Sequence, residues 1–305
     1  MTNALTTSVE TILTAPQDAP CPLDQTLAKL RAMGEWYSAS AGPIDDWASW
    51  TWASAYACTD FAAFQPQLDE AMRGPVPDKR VHGCGLFSSY AWLMVTSALA
   101  CYLLDRRVPD LAPEGIAFRT LKHASGEDLN QLRYLRARFY CLPADPAAGS
   151  ADAMVVADEA ALQAKFHQQV EAYLPPVMQL IQANTGYLQR AMWGQVSDWV
   201  IGAAIEYTRL SRQPCQLDLF ITQFAKRDGS PIKQSRGSVI PLHFDHPTTG
   251  EPCLEPMLDR TSCCQWYRFP EAKGDRCGTC PGLPREKRIE RMTAYYKEEC
   301  AKQPA

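Results

Sequence analysis

Residues 134–142 read YLRARFYCL, and this stretch decides whether the chain is all-helical. Leu135, Ala137, Phe139 and Cys141 fall on one face and Tyr134, Arg136, Arg138 and Tyr140 on the other, a period of two that ends at Pro143. The alternation predicts a half-buried strand, with Cys141 as a small buried hydrophobe. Ile116–Lys122 is a second strand candidate, expected to pair with the first in an antiparallel sheet. The Pro, Ala, Gly and Ser residues of Pro143–Asp152 mark a loop.

Helical patterns lie on both sides of this sheet. Leu27, Leu30, Met33 and Trp36 recur at spacing three. Ile44–Phe64, opened by Pro43, combines alanines with Trp47, Trp50, Trp52 and Tyr56, and predicts a helix whose aromatics pack rather than bind. The apolar run Tyr90–Leu104 (YAWLMVTSALACYLL) is 15 residues long and is followed by Arg106 and Arg107; it reads as a buried core helix without stable membrane insertion. Ala161–Tyr173, a helix started by Pro175-Pro176, and Tyr187–Leu210 as the longest helix follow. Gln213–Pro256 is broken every few residues by Gly and Pro, which makes its elements hard to assign. The predicted fold class is therefore α+β: a helix-rich body with a small antiparallel sheet, then an irregular segment over Leu254–Pro284 and a terminal helix over Arg285–Glu299. The expected division is a body over 1–253 and a cysteine-bearing segment over 254–305.

Composition excludes several classes. The chain has 305 residues, 46% hydrophobic and 21% charged, which rules out disorder and coiled coil. Basic and acidic side chains number 12 and 16 over residues 1–150 and 18 and 18 over residues 151–305, a balance unlike that of a nucleic-acid binder. Met1–Pro20 is polar and holds Glu10 and Asp18, so nothing there marks export and the reducing cytoplasm is the expected compartment.

Of twelve cysteines, four lie in the run TSCCQWYRFPEAKGDRCGTCP over residues 261–281: Cys263, Cys264, Cys277 and Cys280. In a reducing compartment such density points to a metal or redox site. Spacing alone leaves three chemistries open. Structural zinc prefers C-x(2-4)-C pairs, which the adjacent Cys263 and Cys264 fit poorly. A 2Fe-2S cluster offers two irons to diverging thiolates. The C-x-x-C of Cys277 and Cys280 suggests dithiol chemistry, but without the strand-helix context of a thioredoxin motif. No cysteine is followed at two positions by a histidine, which argues against a Rieske centre.

The succession Arg260, Cys263-Cys264, Tyr267-Arg268, Cys277-Gly-Thr-Cys280-Pro281 resembles the C-terminal signature of FhuF-type ferric siderophore reductases, and Trp193-Gly194 within a helical stretch also resembles a family feature. The resemblance covers about 25 residues. It implies a 2Fe-2S cluster held by Cys263, Cys264, Cys277 and Cys280, acting as the electron-transfer centre of a cytoplasmic oxidoreductase that passes one electron to siderophore-bound Fe(III) and releases Fe(II). A hydroxamate or mixed carboxylate siderophore is the expected substrate class, with Trp266, Tyr267, Arg268 and Arg276 as candidate substrate residues. The alternative is a non-enzymatic siderophore- or partner-binding protein stapled by a four-cysteine zinc or iron-sulfur element. Twelve residues separate Cys264 from Cys277, more than the family usually has; the excess, in a loop with Pro270 and Gly274, is expected to bulge outward.

Remaining candidates are weaker. His243 and His246, in HFDHP, are weighed with Asp245 and Cys253 as metal ligands and read instead as surface or pocket-lining residues. Cys84, beside His82, Gly83 and Gly85, reads as a packed thiol. His123 and His167 are expected in a loop and on a helix surface. Cys21, Cys58, Cys101, Cys215 and Cys300 show no partner by spacing and are expected to be structural. The absence of a G-x-G-x-x-G or P-loop pattern implies an external electron donor protein.

Overall fold

The computed structural model describes residues 21–33, 38–54, 78–122, 128–211, 217–234, 237–269 and 272–302. Trp36, Tyr56 and the rest of the predicted helix beyond residue 54, Cys58, His123 and Cys215 lie outside them. The fold is α+β, as the sequence implies. Two units divide the chain: Met1–Ala71 with Leu86–Asn184, and Met72–Gly85 with Thr185–Ala305. The division expected at 253/254 is not where the chain parts, because the cysteine segment shares its unit with residues far upstream of it.

In the first unit, α1 (Pro22–Met33) starts on a proline that needs no N–H partner and buries Leu23, Leu27 and Leu30. Strands β1 (Ala39–Ala41), β2 (Thr51–Trp52), β4 (Ile116–Lys122) and β5 (Asp128–Tyr134) form one sheet in the order β1-β5-β4-β2. The partner expected for β4 is corrected: β4 pairs antiparallel with β5, Ile116 opposite Tyr134 and Lys122 opposite Asp128, and not with residues 135–142. Strand β3 (Arg107–Pro109) joins β6 (Phe139–Cys141) and β7 (Ala153–Val155) in a second sheet.

The continuous strand expected over 134–142 is corrected: β5 ends at Tyr134, a turn follows, and Ala137 has a positive φ of 50°. The inward half of the alternation survives the break, since Leu135, Ala137, Phe139 and Cys141 are all buried, but Tyr134, expected on the other face, is buried as well. Burial on one side is what the pattern reports, and a turn that keeps those side chains inward satisfies it equally. The helix expected from Ile44 is also corrected, because Thr51 and Trp52 pair with β4. Trp47 stacks on Trp52 with centroids 4.6 Å apart, and with Trp50 they pack on Ile44, Ala117 and Leu135, so these tryptophans are packing residues as expected.

Helix α2 (Lys79–Asp105) contains the apolar run. Its length and composition would suit a membrane span, yet 78% of its apolar window is buried inside the protein, as for a core helix. Helix α3 (Glu159–Thr185) runs unbroken through Pro175 and Pro176, where a new helix was expected. Each proline removes an N–H and crowds the preceding turn. Against that cost, Leu162, Phe166, Val170, Leu174, Met178 and Ile181 form one buried stripe across the prolines, and burying it keeps the helix whole. His167 is buried on this helix, not on its surface.

In the second unit α4 (Gln189–Ser211), at 23 residues, is shorter than α2 and α3, contrary to expectation. A short α5 (Leu217–Phe220) leads into a π turn over Ile221–Ala225. The stretch that is hard to assign contains a hairpin, β8 (Ser238–Asp245) with β9 (Pro252–Asp259), and β9 runs into the segment expected to be irregular from Leu254. Its prolines disguised it. Pro241 and Pro256 face each other in register, and in a two-stranded sheet every strand is an edge, where a missing N–H is tolerated. Ile240, Leu242 and Phe244 alternate inward and pack with Met257 and with Tyr296 of α6 (Arg285–Lys302), the expected terminal helix.

Candidate functional site

The four clustered cysteines all belong to the second unit. The chain leaves β9 and enters a bend at Thr261 and Ser262 that two upstream residues hold. Asp198, on α4 and 1% exposed, accepts from the Ser262 N–H at 3.1 Å and from the Ser262 hydroxyl. Gly194, one turn earlier, leaves room for this bend, since a Cβ there would lie 3.1 Å from the Ser262 Cβ. This gives Gly194 of the Trp193-Gly194 pair a physical role.

After the vicinal cysteines, Gln265 takes a left-handed conformation (φ 58°), and Trp266–Arg268 forms a single 3-10 turn. The reversal points backbone N–H groups back at the sulfurs. The Gln265 N–H donates to Cys263 Sγ at 3.4 Å, and the Trp266 N–H to Cys264. The second pair is turned by a Cys280 N–H to Cys277 carbonyl bond of 3.0 Å, and the Arg276 guanidinium reaches Cys280 Sγ at 3.8 Å while lying over the Tyr267 ring. Gly282 lies beneath the Arg276 guanidinium: a Cβ would stand 2.0 Å from its Nη1, so the side chain would have to shift.

The pairs meet crosswise. Cys264 and Cys277 share a thiol hydrogen bond, and Cys263 lies within electrostatic reach of Cys280. The Cys277 thiol, the Arg260 guanidinium and the Trp266 N–H hold Cys264 well below the usual thiol range, against burial. The same shared proton, together with burial, pushes Cys277 up. Arg260 is itself balanced by Asp198, 3.5 Å away. Burial raises the Asp198 carboxyl although Ser262 and Arg260 oppose it, and its Oδ1 has no hydrogen-bond partner among the described residues.

Among the described residues, no three His, Cys, Asp or Glu side chains converge as one metal ion requires. Zinc would need about 2.3 Å from each sulfur to a single ion, and a two-iron cluster two thiolates per iron, so either would draw these sulfurs closer together. A two-iron cluster also asks for donors to an anionic sulfur shell. The N–H groups of Gln265 and Trp266 and the guanidinium groups of Arg260 and Arg276 fit that demand, as do four cysteines gathered in one unit.

The candidate substrate residues surround these sulfurs unevenly. Trp266 is 45% exposed and stacked on Phe269. Arg268 is turned to an ion pair with Asp78 and to Gln265 Oε1 at 3.3 Å. Arg276 is committed to Cys280 and Tyr267. Lys273, Gly274 and Asp275 are exposed, Lys273 and Gly274 having positive φ, in keeping with an outward bulge.

Sequence reading missed the second layer. Cys84, buried as expected, donates its thiol to the Cys264 carbonyl at 3.1 Å and accepts from Gln195 Nε2 at 3.1 Å; burial pushes it up to about 11, which keeps it a donor. The one signal was the glycine pair around Cys84: a Cβ on Gly83 would come within 2.3 Å of Thr185 Oγ1. His243 and Asp245 point outward from β8, and His246 Nδ1 accepts the Thr248 and Thr249 N–H groups at 3.2 Å, closing a turn. No protein-family model matches the chain, and no curated protein matches it.

Proposed function

We propose that this protein is a cytoplasmic oxidoreductase that reduces Fe(III) held by a siderophore, through a 2Fe-2S cluster ligated by Cys263, Cys264, Cys277 and Cys280. The observation that carries the reading is the set of donors on the thiols of one unit: the Gln265 N–H on Cys263, the Trp266 N–H and the Arg260 guanidinium on Cys264, and the Arg276 guanidinium on Cys280. When bound, such a cluster supplies electrons one at a time. The donors spread the negative charge of the sulfurs and so favour the more reduced state. Asp198 keeps Arg260 in place, and Gly194 leaves room for the Ser262 bend.

The substrate chemistry follows from ligand hardness. Hydroxamate and carboxylate oxygens hold Fe(III) far more tightly than Fe(II), so one added electron loosens the chelate. Trp266 offers an exposed flat ring beside the vicinal cysteines, and Lys273 an exposed cation at the tip of the loop. With no nucleotide motif in the sequence, the donor is a separate redox protein.

The test is direct. Protein purified anaerobically is expected to be red-brown, to hold iron and sulfide in equal amounts, to bleach with dithionite but not with NADH alone, and to be reoxidised by a ferric hydroxamate with Fe(II) appearing in a ferrous-specific trap. Colourless protein with one equivalent of zinc, or reduced protein that no ferric chelate reoxidises, would overturn the reading.

A further inference from the structure

Beyond the site just described, a second pair of cysteines meets in the same unit. Ile289, Met292, Tyr296 and Cys300 share one face of α6, and that face packs on the β8-β9 hairpin, where Cys253 lies. At the C-terminal end of this contact the Cys300 thiol donates to the Cys253 sulfur, and both residues are half-buried. By contrast Cys84, Cys101 and Cys141 are fully enclosed.

We propose that Cys253 and Cys300 form a reversible dithiol-disulfide pair that fastens the end of α6 to β9. A disulfide needs Cβ atoms about 3.5–4.5 Å apart, and both backbones here have latitude to reach it. Cys253 stands at the start of β9, just past the turn at Gly250, and Cys300 sits in the last turn of α6, where helices fray readily. The oxidant is a small disulfide of the glutathione class. The Cys253 sulfur, deprotonated, attacks one sulfur of oxidised glutathione, forming a mixed disulfide and expelling one glutathione thiolate. Cys300 then loses its proton and attacks the Cys253 sulfur, expelling the second. Two electrons and two protons pass to two glutathione molecules. Burial, with Cys253 and Glu255 nearby, pushes the Cys300 thiol up, which suits it to the second, resolving step.

The bond would act on more than the end of a helix. Two turns upstream on α6, Arg288 pairs with Asp259 and Arg291 Nη1 holds the Arg276 carbonyl at 2.5 Å, while a Cβ on Gly278 would touch Met292. Fastening α6 therefore steadies the wall of the four-cysteine segment. That consequence rests on the function proposed above; the bond does not.

The experiment takes the full-length chain as isolated, treats it with oxidised glutathione, alkylates the remaining thiols and maps peptides by mass spectrometry without reduction. A peptide with Cys253 joined to one with Cys300 is expected, released by dithiothreitol, together with a rise of several degrees in melting temperature that Cys253→Ser and Cys300→Ala both abolish. Alkylation of both residues after oxidation, glutathione left on either, or either residue joined elsewhere would overturn the proposal. The map reads the same whatever metal the protein carries, so a finding of zinc would sink the cluster and leave this pair standing.

Discussion

A buried arginine-carboxylate network stands in each unit, Arg107 with Asp145 in the first and Arg260 with Asp198 in the second, and the two are built differently. In the first, Arg107 spends its donors on structure: two on Asp145 at 2.7 Å, one shared by the Pro22 carbonyl at 2.7 Å and the Thr26 hydroxyl at 3.0 Å, with the Phe139 ring beneath. In the second, Arg260 divides between Asp198 and the cysteine sulfurs, and Asp198 keeps an oxygen unpartnered among the described residues. A completed network is scaffold. An incomplete one beside thiols stands where charge is expected to change, because a buried polar group without a partner costs free energy that folding alone gives no reason to accept.

The sharpest way to break this contrast is to remove each arginine. Arg107→Met should lower unfolding free energy by about 3–5 kcal/mol, since Asp145 would be left buried without its ion pair, with only the Ala147 N–H at 2.7 Å. Arg260→Met should cost less, about 1–3 kcal/mol, because Asp198 keeps both Ser262 bonds. Its larger effect should be on retention of iron by the cysteine segment. Urea unfolding followed with iron content checks both; equal losses of stability with iron retained would erase the distinction.

Acid sharpens it further, because the two carboxylates respond with opposite sign. Burial pushes Asp145 up, but Arg107 and the Ala147 N–H outweigh it and hold the carboxyl below its usual value. Its stabilisation is present above about pH 3.9 and is lost as pH falls through the lower folded value. Asp198 is raised, so the folded state takes up its proton first, and stability gains as pH falls from that raised value toward about 3.9. Melting temperatures measured against pH should therefore show the gap between wild type and Asp145→Asn narrowing in acid. Relative to Asp198→Asn, wild type should instead improve over its window. Parallel slopes would mean that the two carboxylates sit in equivalent surroundings.

Smaller effects test the close packing behind the second network. Gly83→Ala should lose about 1–2 kcal/mol despite a better helix former, since the new methyl meets Thr185 Oγ1 at 2.3 Å. Gly149→Ala, in a first-unit turn with nothing within 4 Å, should stay within about 0.5 kcal/mol of wild type. Thermal unfolding of both variants decides, and a neutral Gly83→Ala would show that the start of α2 yields easily.

What could be read from the chain depended on how local the signal was. The α4 and α6 helices, the β4 strand and the four cysteines were legible because period, turn residues and spacing lie within short windows. The β8-β9 hairpin was not, since Pro241 and Pro256 look like breakers until it is known that they face each other in a two-stranded sheet. The passage of α3 through Pro175-Pro176 was hidden for the same reason: a buried stripe longer than the local pattern outweighed the prolines.

By itself, then, the sequence determined the α+β class, the packed role of the tryptophans and Cys141, and the thiol set at Cys263, Cys264, Cys277 and Cys280. Only the tertiary structure decided that Asp198 and Ser262 frame those thiols, that Cys84 holds the Cys264 carbonyl, that Arg268 is taken by Asp78, and that Cys253 meets Cys300. Those partners are separated by long stretches of chain. Contacts of that range are set by how buried faces pack, which no short window of residues records.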